Sequence, residues 1–357
     1  MHFDKSGGTG KVTKVKGLVK AAGLLLLSIP LLWWAIRDIP IEEVYETLQG
    51  LSPAGLLGLS LVNGLIILLF TGRWWLVMHS LGQRLPLSSL VIYRLAGFGV
   101  SYFTPGPQFG GEPLQVHLLR KHHQLPGGTA LAGVSVDKLV EILTNLSFLV
   151  IGILLIFKTQ LVPISELFLI LPASLLALPV VYMSLILLGR RPVKWLLKHQ
   201  FSHHKGMSAF ANIRNLLISA EEQVASIISN KPGMLVATLG LSSLTLVLMI
   251  FEYWLTIRLF GIQVELTQVI IMLTAARIAF LLPMPAGLGA LEASQVASMQ
   301  LFGLEPALGI SVSLLIRARD FTLGSLGLGL WGLSANSSRP STGVQTIPIP
   351  LDRRDKA

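Results

Sequence analysis

The chain has 357 residues, 52% hydrophobic and only 13% charged, with 28 Lys and Arg against 18 Asp and Glu for a formal charge of +10. With a mean hydropathy of +0.68, this composition is too apolar for an ordinary soluble domain. The absence of cysteine excludes disulfides and thiolate metal sites, and the basic residues lie in short blocks between apolar runs, which argues for membrane topology and against a nucleic-acid-binding stripe.

A membrane span needs roughly 20 apolar residues to cross about 30 Å of hydrocarbon. Six windows reach that scale: residues 17–36, 53–69, 139–157, 167–188, 234–251 and 306–333. The first follows the lysine-rich segment 1–16 and ends in Trp33, Trp34 and Arg37, as a retained anchor with an interfacial aromatic belt does; it lacks the small-residue site of a cleaved signal peptide. The positive-inside rule places the amino terminus in the cytoplasm and Asp38, Glu42, Glu43 and Glu46 outside. Residues 53–79 then return to a cytoplasmic Arg84.

Residues 87–123 begin apolar, are broken by Pro105, Gly106, Pro107, Gly110, Gly111 and Pro113, and end on Arg120, Lys121, His122 and His123. Both ends read as cytoplasmic, so this stretch is expected to be a re-entrant hairpin. Residues 130–157 run outward and 167–188 inward. Residues 190–231 carry Arg190, Arg191, Lys194, Lys198, Lys205 and Arg214 and read as a basic cytoplasmic loop. Residues 234–260 run outward to a second broken stretch, 266–302, interrupted by Pro283, Pro285, Gly287 and Gly289. A last span brings a Ser-, Thr-, Pro- and Arg-rich tail, residues 334–357, back to the cytoplasm, where disorder is expected. The fold class is therefore all-α: a polytopic transmembrane helix bundle, residues 17–333, of about six full spans and two broken hairpins. A second stretch that crosses twice satisfies the charge rule equally well.

Irregular backbone at membrane depth is costly unless it is buried in protein or lines an aqueous cavity. Both breaks carry Pro-x-Pro, then glycines, then one glutamate that opens an apolar helical stretch: Pro105 to Glu112, and Pro283 to Glu292. Entering from opposite faces, they have the arrangement of an inverted-repeat transporter, whose site lies where broken helices meet. Helix amino termini there suit an anionic headgroup or phosphate. Chance resemblance between two loops of short tilted helices is the competing explanation.

At these motifs the sequence resembles the membrane region of lysylphosphatidylglycerol synthases. Pro283 to Glu292 is similar to that family's Pro-Gly-Gly-Leu-Gly-x-x-Glu signature, with Ala286 in place of a glycine, and Pro105 to Glu112 is similar to its earlier Pro-Gly-x-x-Gly-Glu motif, with Pro107 and Gln108 departing from it. Asp137 and Arg317 also fall where the family tends to carry polar residues. The resemblance implies an all-helical fold for lipid handling. It does not imply aminoacyl transfer, which belongs to a separate soluble domain.

Charges inside apolar runs cost at least about 2.5 kcal/mol each at the bilayer centre. Arg73, Arg94, Glu112, Asp137, Glu141, Glu252, Arg277, Glu292, Arg317 and Asp320 lie in such runs. Asp137 and Glu141 share a helix face, and Arg317 and Asp320 are spaced to pair. Arg94, Arg277 and Arg317 are candidates to hold an anionic headgroup, since guanidinium binds such groups through two parallel bonds. With Asp137 and the motif residues Pro105, Gly110, Gly111, Glu112, Pro283, Gly287, Gly289 and Glu292, they form the candidate substrate site. For Arg73 and Glu252, structural ion pairing is the stronger reading.

No Walker loop, His-Glu-x-x-His, Gly-x-Ser-x-Gly or dinucleotide fingerprint is present. No catalytic residue, cofactor or metal is expected. The expected function is a flippase-like transporter in the inner or plasma membrane, moving an anionic, aminoacylated or polyprenyl-linked lipid by a gradient or by downhill scrambling. The rivals are an intramembrane lipid-modifying enzyme using His117, His122, His123 and Arg120, and an accessory subunit that works with a partner enzyme of lipid or envelope-polysaccharide synthesis. The lipid and the oligomeric state are not legible.

Overall fold

The computed structural model describes residue 33 and residues 41–104, 110–160, 167–200, 208–282 and 284–336. The expected first span (apart from Trp33), Pro105, Pro107, Gln108, Pro283 and the tail after residue 336 lie outside the described residues.

The described residues form α1 (Ile41–Gln49), α2 (Pro53–Ser80), α3 (Leu87–Phe103), α4 (Glu112–His123), α5 (Gly127–Thr159), α6 (Leu167–Leu187), α7 (Pro192–Gln200), α8 (Ser208–Asn230), α9 (Pro232–Leu259), α10 (Leu266–Leu281), a single 3₁₀ turn (Pro285–Gly287), α11 (Ala290–Leu301) and α12 (Pro306–Asn336), with no strand among them. Helices α2, α5 and α9 are long and apolar enough to cross a membrane, and α3 and α10 are shorter apolar helices. At about 1.5 Å per residue, a helix of 28 residues such as α2 or α9 exceeds the hydrocarbon thickness. The outer faces of these two are apolar, with Leu57, Leu61 and Val236 each more than 60% exposed, as a lipid-facing surface requires.

Starts follow local chemistry. Ser52 caps α2 by accepting the Gly55 amide at 3.1 Å, with Pro53 in the first turn where its missing N–H costs nothing. Glu265 and Gln268 form a reciprocal capping box at the start of α10. The stretch read as a basic loop is helical over α7 and α8, and α8 seats Ala220, Val224, Ala225, Ile227 and Ile228 in a core shared with α2, α5 and α6.

Two four-helix sets have matching order and length. Pro53 and Pro232 open 28-residue helices; Leu87 and Leu266 open helices of 17 and 16 residues; Glu112 and Ala290 open helices of 12; Gly127 and Pro306 open helices of 33 and 31. The first, second and fourth of these pairs of starts are separated by one identical interval along the sequence, the offset from Pro53 to Pro232. Each set has a core of its own. One is built on Trp74, Leu90, Tyr93, Leu118 and Ala130, the other on Tyr253, Val269, Met272, Leu291 and Leu308.

The sets meet along two kinds of contact. Helices α2 and α9 are antiparallel, with Gly55 beside Leu259, Asn63 bonded to Glu252 and Arg73 bonded to Ser242. Helices α3 and α12 make the most extensive contact in the fold, backbone against backbone at Gly99, Gly324 and Gly327.

Candidate functional site

Each broken stretch is fastened by its glutamate. Glu112 accepts the Gly110 amide at 3.0 Å and pairs with Lys138 on α5 at 3.0 Å. Glu292 accepts the Gly289 amide at 2.9 Å and meets Arg317 on α12 through both carboxylate oxygens, with the Nη2 contact at 2.9 Å. Gly110 and Gly289, and Lys138 and Arg317, are related by the same offset as the helix starts. Arg317 also donates to the carbonyls of Ala286 at 3.1 Å and Gly287 at 3.3 Å, which ties the second break to α12. Gly287 and Gly289 have φ of +66° and +77°, a region glycine enters freely, while Ala286 holds φ +50° at a cost its methyl group makes real.

Gly111 serves packing. A Cβ there would stand 2.1 Å from the Gly97 carbonyl oxygen, and its amide donates to Ser101 at 2.8 Å. The start of α4 therefore lies directly on the backbone of α3.

The intramembrane charges form two networks. In the first, Arg73, only 1% exposed, donates to Asp137 at 2.7 Å, Ser242 at 2.9 Å and Glu141 at 3.4 Å. Arg94 bonds the other oxygen of Asp137, and Lys138 pairs with Glu141 at 2.8 Å and with Glu112. Phe70 and Trp74 lie against the guanidinium planes at 5.3–5.6 Å. Asp137 and Glu141 share a face as their spacing requires, and both meet Arg73.

In the second network Arg319 pairs with Glu252 and with Asp320, each at 2.9 Å, and Asn63 donates to Glu252 at 3.4 Å. The expected Arg317–Asp320 pair gives way to Arg317–Glu292 and Arg319–Asp320. Sharing a helix face permits the former pair, but the packing of α11 on α12 brings a carboxylate to Arg317 from the neighbouring helix. Arg73 and Glu252 take the ion-pairing role expected of them.

Across α2 and α9 the polar contacts are reciprocal. Arg73 reaches Ser242, and Glu252 receives Asn63; Arg73 with Glu252, and Asn63 with Ser242, are again related by the offset of the helix starts. Spacing alone could have revealed this correspondence and, with it, Lys138 at the position equivalent to Arg317; it could not have revealed Arg319, whose counterpart is Val140, and the sequence reading leaves out both.

Among the predicted site residues the structure thus joins Arg94, Asp137 and Glu112 in the first network, and Gly287, Gly289, Glu292 and Arg317 in a separate cluster at the second break. Arg277 stands apart. It donates to Asn145 and, at 3.2 Å, to the Met249 sulfur, and lies 4.9 Å over the Phe148 ring.

His122 and His123 lie at the opposite end of α4 from Glu112, and His117, midway along the helix, lines an open basic cleft of about 480 Å³ with Arg120, Lys121, Gln124 and Leu125. Among the described residues no group of three or more His, Cys, Asp and Glu is placed to hold a metal. His123 is buried beside the Tyr93 hydroxyl at 3.1 Å. Burial, then the neighbouring His122, holds its imidazole below the usual histidine range, and burial lowers His122 as well. An unfolded chain binds protons there more readily than the folded one. Stability is therefore full above the ordinary histidine pKa of about 6.5 and declines as pH falls through and below it. Melting in detergent is expected to show this acid-side slope, and His123→Gln to reduce it.

The chain is similar to two archaeal proteins over nearly its whole length. It is 24% identical over 342 residues to a UPF0104 membrane protein of Methanothermobacter thermautotrophicus, covering 92% of this chain and 95% of that protein. It is 23% identical over 322 residues to UPF0104 membrane protein MJ1595 of Methanocaldococcus jannaschii, covering 88% and 94%. The family described as lysylphosphatidylglycerol synthase TM region matches residues 21–327. Its extent, together with the apolar helices and both glutamate-fastened breaks, places the chain: it is an integral membrane protein of the lysylphosphatidylglycerol synthase TM region family.

Proposed function

We propose that the chain is a lipid transporter built as an inverted repeat, moving an anionic, aminoacylated or polyprenyl-linked lipid between leaflets. The observation that carries this reading is the reciprocal contact of α2 and α9. Equivalent helices that run antiparallel and exchange contacts, Arg73 to Ser242 and Asn63 to Glu252, are what a two-fold axis between halves produces. The charge rule sends α2 inward and α9 outward, so that axis lies in the membrane plane, as in transporters that rock one half against the other. Both termini are then cytoplasmic, in a cell membrane, and the basic flanks meet anionic headgroups.

Buried ion pairs between helices add little net stability when made, because desolvation offsets their attraction, but are costly when one partner is left alone, which suits switch points that must have two states. Glu292–Arg317 and Glu112–Lys138 each join the short helix that opens at a break to the long helix after it, so headgroup passage at the breaks has to loosen them. The test is exchange of fluorescent phospholipids between leaflets of liposomes holding the purified chain. Native protein is expected to accelerate exchange, and Glu292→Gln to slow it by about tenfold or more while the protein stays folded, since the bidentate charge pair is lost. Absence of exchange across phosphatidylglycerol, its lysyl derivative and a polyprenyl phosphate would move the reading to an accessory subunit acting with a partner enzyme.

A further inference from the structure

We propose that Arg277, in the seam between α5 and α10, is the group that receives a phosphate, in the first instance the phosphodiester of a lipid headgroup. The proposal deepens the transport reading and rests on it for the lipid.

Of the three arginines whose positions suit an anionic headgroup, two are already engaged: Arg94 by Asp137, and Arg317 by Glu292. Arg73, Lys138 and Arg319 likewise have carboxylates within 4 Å. Among the described residues no carboxylate lies within that distance of Arg277. Its partners are a neutral amide and a thioether, and its buried Nε has no hydrogen-bond partner. A guanidinium keeps its charge in proteins, so this side chain holds an unneutralised cation and an unused donor in an apolar region. An anion with several acceptor oxygens answers both needs.

A cleft reaches it. Asn145 and Met249, which hold two of the guanidinium nitrogens, also line a cleft with Thr144, Ser242, Thr245 and Glu141. The Glu141 carboxylate within it is taken by Arg73 and Lys138, and the hydroxyls of Thr144 and Thr245 add polar groups to the wall.

Comparison of the two halves locates this feature in one of them. The offset that relates the helix starts puts Phe98 where Arg277 stands, Gly324 where Asn145 stands and Gly327 where Phe148 stands. In the α3–α12 seam these positions bring backbones together, since a Cβ on Gly327 would lie 2.2 Å from the Leu95 carbonyl and one on Gly99 would lie 2.6 Å from the Gly324 oxygen. In the α5–α10 seam the helices touch at Gly152 and Thr274, and further along Arg277, Asn145 and Phe148 stand between them. One seam is closed by glycine. Its counterpart holds a cation, an amide and an aromatic ring.

The test is calorimetric binding to the full purified chain in an uncharged detergent, with dihexanoyl phosphatidylglycerol, a short-chain diacylglycerol lacking phosphate, and inorganic phosphate. Native protein is expected to bind the phospholipid and not the diacylglycerol. Arg277→Gln should weaken binding by at least about tenfold, and Arg277→Lys should recover part of it. Met249→Glu offers an internal carboxylate at the Nη2 contact. It is expected to weaken binding comparably while keeping or raising the melting temperature, which separates loss of the site from loss of the fold. Arg277-dependent binding of inorganic phosphate without phospholipid binding would keep the site and assign it to the free anion. Equal affinities in native protein, Arg277→Gln and Met249→Glu would overturn the proposal. Because binding is read in detergent, failure of leaflet exchange leaves this result standing.

Discussion

Replacing Asp137 with alanine is expected to destabilise the protein by about 3–5 kcal/mol. The carboxylate is 5% exposed and gives one oxygen to Arg73 and the other to Arg94, so its removal strands two guanidinium groups between helices. Glu141 cannot replace it, since it stands 3.4 Å from Arg73 and 3.9 Å from Arg94 and is already held by Lys138. Asp137→Asn retains the shape but offers one acceptor oxygen for two cations, and should lose nearly as much. A double variant, Arg73→Met with Asp137→Asn, leaves Arg94 as the single guanidinium facing position 137 and is expected to be less damaged than the two single effects added together, because neighbours in one network do not act independently. Melting in detergent measures all of these. An Asp137→Ala protein that melts within about 2 °C of the native one would contradict the network's role, given that a few kcal/mol moves a large domain by several degrees.

The long spans were legible because hydrocarbon thickness dictates their length and composition. Helices α2 and α9 extend beyond the windows at residues 53–69 and 234–251 mainly at their carboxyl ends, and α5 beyond 139–157 mainly at its amino end, where protein contacts satisfy the polar groups. Arg73 and Asp137, which interrupt apolar patterning, belong to the long helices through each other. Glu112 and Glu292 were legible as helix-opening residues at two Pro/Gly breaks, and both do accept backbone amides there. Partner choice was not legible. The spacing of Arg317 and Asp320 defines a shared face, but only the approach of α11 decides that Glu292 takes Arg317. The distinctness of Arg277 was equally hidden, since it depends on neutral Asn145 and Met249 arriving from two other helices.

Gly327→Val is expected to be the most damaging change outside the charged networks, with a loss of about 3 kcal/mol or more, since filling an already close contact commonly costs roughly 1–3 kcal/mol even when side chains can yield. Here a Cβ would stand 2.2 Å from both the carbon and the oxygen of the Leu95 carbonyl, and helix backbone cannot rotate aside as a side chain can. Gly111, at the start of α4 and 2.1 Å from the Gly97 carbonyl by the same measure, is under the same constraint. Between membrane helices, close packing itself supplies much of the association, so separating α3 from α12 removes the interaction along with the contact. Gly329 provides the control. It lies two residues along the same helix, a Cβ there meets nothing within 4 Å, and Gly329→Ala should be neutral or stabilising by up to about 1 kcal/mol through helix propensity. Equal melting of Gly327→Ala and Gly329→Ala proteins would mean that α3 and α12 do not meet at backbone distance. A large difference would establish the seam as the rigid join of the two halves, leaving the α5–α10 seam as the side where they can part.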